Sequence, residues 1–254
     1  MKRVVLSIIT LFLISINMVV FASTKITEKE IVSVSSDGFT IKANLSYPKT
    51  KNQKEFSTVV LLHSLGYNTQ WWGNLKEELL DLGFAVLAID LRGHGKSIYN
   101  SKMAKTSWKS LKDSAYTKYP EDVIGIIKTV QDENTKRNFF NNWAIVGADI
   151  GASTGIIASD KLPQKPKTIV MLSPVIKSKN LYIPVSLAHL DNVNVLAIYG
   201  TEDTDAKEAG KYLKKFAQAE FLEYTSEAKT TGMLMLKKDP ELSKIIAEWL
   251  KAYQ

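Results

Sequence analysis

The chain passes through three regimes of hydrophobic patterning. Residues 4–21 are almost uninterruptedly apolar, behind Lys2 and Arg3. The period then becomes two: residues 31–36 alternate, Asp37-Gly38 supplies a turn, and residues 40–47 alternate again. This predicts a β-hairpin, because successive side chains on a strand face opposite sides of a sheet. Beyond it, short apolar runs take turns with stretches whose apolar residues recur every three or four positions. The pattern predicts strands over 58–63, 84–91, 143–148, 168–172, 195–199 and 220–224, and helices over 70–82, 121–131, 150–159, 206–216 and 240–252. Short, continuous apolar strands need cover on both faces. The fold class expected is therefore α/β, a mostly parallel sheet of about eight strands flanked by helices.

The leading apolar run ends in Val20-Phe21-Ala22, with compact residues where a signal peptidase cuts. We read residues 1–22 as a signal peptide and residues 23–254 as a single domain, exported to the periplasm or the cell exterior. The alternative is an uncleaved N-terminal membrane anchor, since about 18 apolar residues can just cross a bilayer. No repeat, low-complexity tract or long linker divides 23–254. The longest irregular stretch, 93–120, carries Tyr99, Trp108, Tyr116 and Tyr119 to pack it down. Only residues 175–193 separate two neighbouring strands, too few for a large cap domain.

Composition narrows the chemistry. With no cysteine, disulfides, thiolate metal sites and cysteine nucleophiles are excluded. The formal charge is +7, yet of 33 Lys and Arg only Arg3, Arg92 and Arg137 are arginine. Nucleic-acid readers rely on arginine forks and stacked aromatics in a basic stripe. Here the lysines are scattered, so no nucleic-acid partner is expected, and they serve solubility or contact with an anionic envelope surface. No His, Asp and Glu group has metal-ligand spacing, and residues 147–155 lack both the lysine of a phosphate loop and the spacing of a dinucleotide fingerprint. No metal and no cofactor is expected. Imidazole chemistry has only His63, His94 and His189 to draw on.

Three segments carry a family resemblance. Leu61-Leu62-His63-Ser64-Leu65-Gly66 follows a strand and looks like a His-Gly oxyanion loop with Ser64 in place of glycine. Asp90-Leu91-Arg92-Gly93-His94-Gly95-Lys96-Ser97 matches a strand-four signature. Gly147-Ala148-Asp149-Ile150-Gly151 lies where strand meets helix, like a nucleophile elbow. In order and kind they resemble the α/β-hydrolase superfamily, above all its compact dienelactone hydrolase and small esterase members, over nearly all of 23–254. The resemblance implies the α/β-hydrolase fold with no large cap, and a site built on the elbow. It places Asp149 at the nucleophile position and makes the backbone N–H groups of Leu65 and Ile150 the oxyanion donors. Gly200-Thr201-Glu202-Asp203 resembles the loop of the triad acid, which makes Asp203 the match, with Glu202 and Asp205 as nearby alternatives. The triad histidine is due within 228–234, where one match puts Lys229 and another puts Thr231. No histidine follows residue 189.

A serine esterase needs imidazole to take the nucleophile's proton and pass it to the leaving group. Aspartate nucleophiles occur in the superfamily, in haloalkane dehalogenases and epoxide hydrolases, but there a histidine-activated water releases the ester intermediate under a cap domain. The replacements are coherent in charge: Asp149, Lys229 and Asp203 carry the same net charge as serine, neutral histidine and an acid. A salt-bridged trio is therefore expected, the alternative being that Lys229 is one more exposed lysine. Gly151-Ala152-Ser153-Thr154-Gly155 also spells G-x-S-x-G, but inside the predicted helix, where small residues serve close packing. His63, at the end of a strand expected beside the elbow, is a candidate to activate water there or else to hold the oxyanion loop; His94 and His189 read as structural. Two function classes follow. One is a small-molecule binding or interaction protein with a degenerate triad, using a cleft over the elbow flanked by Trp71 and Trp72. The other is a hydrolase of small ester or other carbonyl substrates, with Asp149 as nucleophile or as general base to a water.

Overall fold

The computed structural model describes residues 25–50 and 52–253, so the segment 1–22 read as a signal peptide lies outside the described residues. The strands are β1 (Ile26–Val34), β2 (Thr40–Pro48), β3 (Glu55–Leu62), β4 (Ala85–Asp90), β5 (Asn138–Ala148), β6 (Thr168–Leu172), β7 (Lys177–Ser178), β8 (Leu181–Tyr182), β9 (Asn194–Gly200) and β10 (Phe221–Ser226). The helices are α1 (Gly73–Asp81), α2 (Asp113–Tyr116), α3 (Tyr119–Glu133), α4 (Ile150–Lys161), α5 (Pro184–Ala188), α6 (Thr204–Leu213), α7 (Leu234–Lys238) and α8 (Leu242–Tyr253). Eight strands form one sheet in the order β1-β2-β4-β3-β5-β6-β9-β10. β1 and β2 pair antiparallel, as do β2 and β4, and the remaining neighbours are parallel. This is the α/β-hydrolase fold, and no large cap is apparent among the described residues.

Every residue of β4 and β6 is buried, because helices cover both faces of the sheet's centre. On one face α3, α4 and the hairpin pack around Ile31, Leu45, Leu62, Ile145, Ile156 and Ile169. On the other, α1 and α8 close over Val59, Leu61, Leu75, Leu79, Ile246 and Leu250. The packing of α4 is tight enough to dictate its small residues. A Cβ on Gly151 would lie 2.0 Å from the carbonyl oxygen of Leu62, and one on Gly155 would lie 2.9 Å from Ile145. Ser153 sits within this helix, fully buried and with its hydroxyl unpartnered. Its G-x-S-x-G spelling is thus helix packing, not a nucleophile turn.

Residues 90–97 tie the fold together side chain by side chain. Asp90 accepts from the N–H groups of Thr69 (2.9 Å) and Lys96 (2.8 Å), and a Cβ on Gly95 would collide with its carboxylate. Arg92 donates from Nε and Nη2 to the two oxygens of Asp122 on α3, both at 2.8 Å, and also pairs with Asp37 in the hairpin turn. Ser97 accepts from the N–H of Lys42 on β2. Several short elements escaped the pattern, among them α2 in the stretch 93–120 and α5 within 175–193. The two-residue strands β7 and β8 occupy part of 175–193, and the C-terminal helix is preceded by a separate turn, α7, ending before Asp239-Pro240.

Candidate active site

Parallel sheets expose their functional loops at the carboxyl ends of the strands. There β5 ends at Ala148 and α4 begins at Ile150, and Asp149 between them adopts φ 51° and ψ −117°. A non-glycine residue in that region is strained. The flanking glycines make the turn passable: a Cβ on Gly147 would lie 2.4 Å from the Cα of Ala152. Asp149 is therefore lifted off the sheet at the tip of a sharp elbow, partly exposed. Burial raises the pKa of its carboxyl. The backbone N–H groups of Ile150 and Leu65 turn toward the carboxylate and oppose that rise, while the negative charge of Asp203 adds to it.

Of the three acids in its loop, Asp203 is the buried one; Glu202 and Asp205 are exposed. It caps α6, accepting from the N–H of Ala206 at 3.2 Å. Its other oxygen accepts from the hydroxyl of Ser173 at 2.5 Å, and Ser173 in turn accepts from the N–H of Gly232 at 2.7 Å. Ser173 follows β6 with φ 50°. It is the one partner in this site that the sequence reading missed, and nothing in the hydrophobic pattern marks it.

The salt-bridged trio does not form. The ammonium of Lys229 lies 3.6 Å from Glu202 with its side chain 77% exposed, and neither Asp149 nor Asp203 is its ion-pair partner. Thr231 is also exposed, whereas Gly232 is buried with φ 55°. A Cβ at Gly232 would lie 2.8 Å from the hydroxyl of Ser64, which is buried without a partner. Asp203 is thus linked through Ser173 to Gly232, which packs against Ser64.

Nor does His63 serve the elbow. Its Nδ1 donates to the carbonyl of Ser64 (2.8 Å) and its Nε2 accepts from the N–H of Leu91 (3.0 Å). Burial, with His94 nearby, lowers its pKa to about 3, so the ring is neutral. His94 is committed in the same way, Nε2 accepting from Gly66 and Nδ1 donating to the carbonyl of Arg92, with Trp108 stacked on its face. His189, just after α5, is exposed beside Asp160. The two histidines of the signature loops thus hold the oxyanion loop in place through Gly66 and Ser64.

Trp71 and Trp72 line a cleft of about 380 Å³ with Leu236, Lys237, Pro240 and Ser243, and Asp149 is not among its lining residues. No cluster of three or more His, Asp or Glu side chains able to hold a metal is found among the described residues. No helix among them is long and apolar enough to cross a membrane.

The strand order and the elbow define an esterase-like α/β hydrolase. More narrowly, the chain belongs to the family described as serine aminopeptidase, S33, whose model matches residues 53–218, the elbow and the loop of Asp203 included. No curated protein matches the chain. Among solved structures it is similar to a dienelactone hydrolase from Anabaena variabilis, with 16% identity, TM-score 0.66, and 90% of this chain and 98% of that one covered. It is similar to an esterase from Pyrococcus furiosus at 16% identity and TM-score 0.65, covering 89% of this chain and 91% of that one. Fungal esterases from Rhizomucor miehei align at 13% identity and TM-score 0.67, with 91% and 84% covered. At such identities the likeness is one of fold.

Proposed function

We propose that this hydrolase-fold protein, exported after loss of residues 1–22, binds a small molecule without Ser-His-acid ester hydrolysis. The observation that carries the reading is the commitment of the histidines: both ring nitrogens of His63 and of His94 are hydrogen-bonded within the scaffold, while Asp149 stands at the elbow. General-base activation of a nucleophile or a water at the elbow then has no imidazole to use. Two further features support it. The amides of Leu65 and Ile150, which an acyl oxyanion would need, face the carboxylate of Asp149 itself. Asp203, which in a triad orients the histidine, is satisfied by Ser173 and Ala206.

The second reading is hydrolysis of a small ester or other carbonyl compound, with Asp149 as nucleophile or as general base to a water. It is favoured by the partly exposed carboxyl, whose proton affinity burial raises. Turnover of short acyl esters by the protein, set beside Asp149→Ala, separates the two. The binding reading expects no turnover above background in either protein. Turnover that Asp149→Ala abolishes would overturn it and establish the second.

A further inference from the structure

Positive charge gathers on the loop that follows β4. Residues 93–112 hold five lysines and no acid. Lys96 pairs with Glu30 on β1. Lys102, Lys105, Lys109 and Lys112 are exposed and form no ion pair among the described residues. The acid that follows them, Asp113, is taken by Lys179 in the turn between β7 and β8. Like charges left unpaired in one short segment repel one another, and a negatively charged surface relieves that repulsion.

The lobe that carries these lysines is tied into the fold. Tyr99 bridges Thr40 of β2 on one side and Lys105 on the other, and the N–H of Thr106 donates to the carbonyl of Ile98 at 2.7 Å. Within this small hairpin the carboxamide oxygen of Asn100 accepts from the N–H groups of Lys102 (2.9 Å) and Ala104 (3.1 Å). The turn presents Met103 with φ 57° and an exposure of 70%, the highest of any large apolar side chain among the described residues. Beyond it Trp108 lies flat on the ring of His94 and donates its N–H to the carbonyl of Gly93.

Methionine is ordinarily a buried residue. Set between Lys102 and Lys105, Met103 gives the lobe an apolar point amid positive charge. A soluble polyanion offers that point nothing, whereas an anionic bilayer offers lipid phosphates at its surface and hydrocarbon immediately beneath them. Nor does the lobe suit a nucleic acid, since the nearest arginine, Arg92, is buried against Asp122 and has no free fork to offer a phosphate.

We propose that residues 98–112 form a docking lobe for an anionic lipid surface, with Met103 entering the headgroup layer and Lys102, Lys105, Lys109 and Lys112 meeting lipid phosphates. This interaction is separate from whatever Asp149 binds, so it goes beyond the small-molecule reading and does not rest on it.

Sedimentation with vesicles tests the proposal, using residues 23–254 so that the apolar run 4–21 contributes nothing. Phosphatidylcholine vesicles containing phosphatidylglycerol should bind the protein, and binding to phosphatidylcholine alone, or at about 0.5 M salt, should be weaker by about tenfold or more. Lys102→Gln, Lys105→Gln, Lys109→Gln and Lys112→Gln made together should also weaken it by about tenfold or more. The set Lys128→Gln, Lys136→Gln, Lys167→Gln and Lys207→Gln removes the same charge from exposed positions elsewhere and should cost less than about threefold. Met103→Ser should weaken vesicle binding by about threefold. Because the chain has no cysteine, a polarity-sensitive dye on Met103→Cys reports this position alone, and its emission should shift to the blue on anionic vesicles. Thermal melts check that each variant keeps the fold. Equal binding to the two kinds of vesicle, equal losses from the two lysine sets, or an unshifted dye would each overturn the proposal. Dependence on the four lysines with none on Met103 would assign the lobe to a soluble polyanion and overturn it too.

Discussion

Acid should weaken this protein through the ring of His63. Its pKa is held down to about 3 against an ordinary value of 6.5, first by burial and then by the neighbouring His94. The unfolded chain protonates this ring below pH 6.5, while the native chain does so only near pH 3. Between those limits the unfolded state binds the extra proton, so stability falls with falling pH by about 1.4 kcal/mol per unit. From about pH 7.5 to about pH 5 the loss attributable to this one ring is therefore about 2 kcal/mol. Other groups titrate in the same window, and one acts in the opposite sense. Burial pushes Asp122 up to about 6 despite its pairing with Arg92, so the native state takes up that proton first and gains stability as pH falls through this value. Comparison with His63→Gln removes such terms, because the variant shares them; its carboxamide can also donate to Ser64 and accept from Leu91 as the ring does. Urea unfolding of both proteins at the two pH values gives the difference directly. The stability of the native protein relative to His63→Gln should drop by about 2 kcal/mol on going to the lower pH. A gap constant to within about 0.5 kcal/mol would refute the neutral buried ring and with it the argument that His63 is a scaffold group.

Two more outcomes follow from the ion pairs. Asp122→Ala leaves the guanidinium of Arg92, itself 3% exposed, with only the half-exposed Asp37 as counter-charge. A loss of roughly 3–5 kcal/mol is expected, read as a fall in Tm of about 10 °C in a thermal melt, and a fall under about 3 °C would show that Asp37 alone suffices. Asp149→Ser combined with Lys229→His should not create an esterase, since the side chain at 229 is exposed and pairs with Glu202. Burst kinetics with an activated acyl ester would expose the error if that double variant turned over.

How much could be read in advance depended on how local the cause was. The hairpin turn at Asp37-Gly38 and the central strands were legible because period and turn chemistry are properties of neighbouring residues; Gly38 does adopt φ 78° there. The signature 90–97 was legible as a motif, and the structure supplies its reason: Asp90, Arg92, His94 and Ser97 each bond a residue outside the segment. The elbow was legible from its small residues, whose Cβ atoms would strike the neighbouring backbone. The pairs β7–β8 and the turn α7 were not, because segments of two to five residues carry too few positions for a period to show.

The amino-acid sequence by itself determined the α/β architecture, the aspartate at the elbow, and the absence of any histidine beyond residue 189. Only the tertiary structure decided what the remaining groups do. Lys229 and Asp203 are close in charge logic, yet the ion pair went to Glu202, because an exposed lysine gains little by leaving water. Ser173 reached Asp203 from 30 positions away through a positive φ that no composition or spacing announces. Trp71 and Trp72 were placed on a cleft beside α7 and the start of α8. Patterns along a chain report which residues must be buried. Which polar groups then meet depends on where distant loops arrive, since most buried ones take a partner from whatever they meet there.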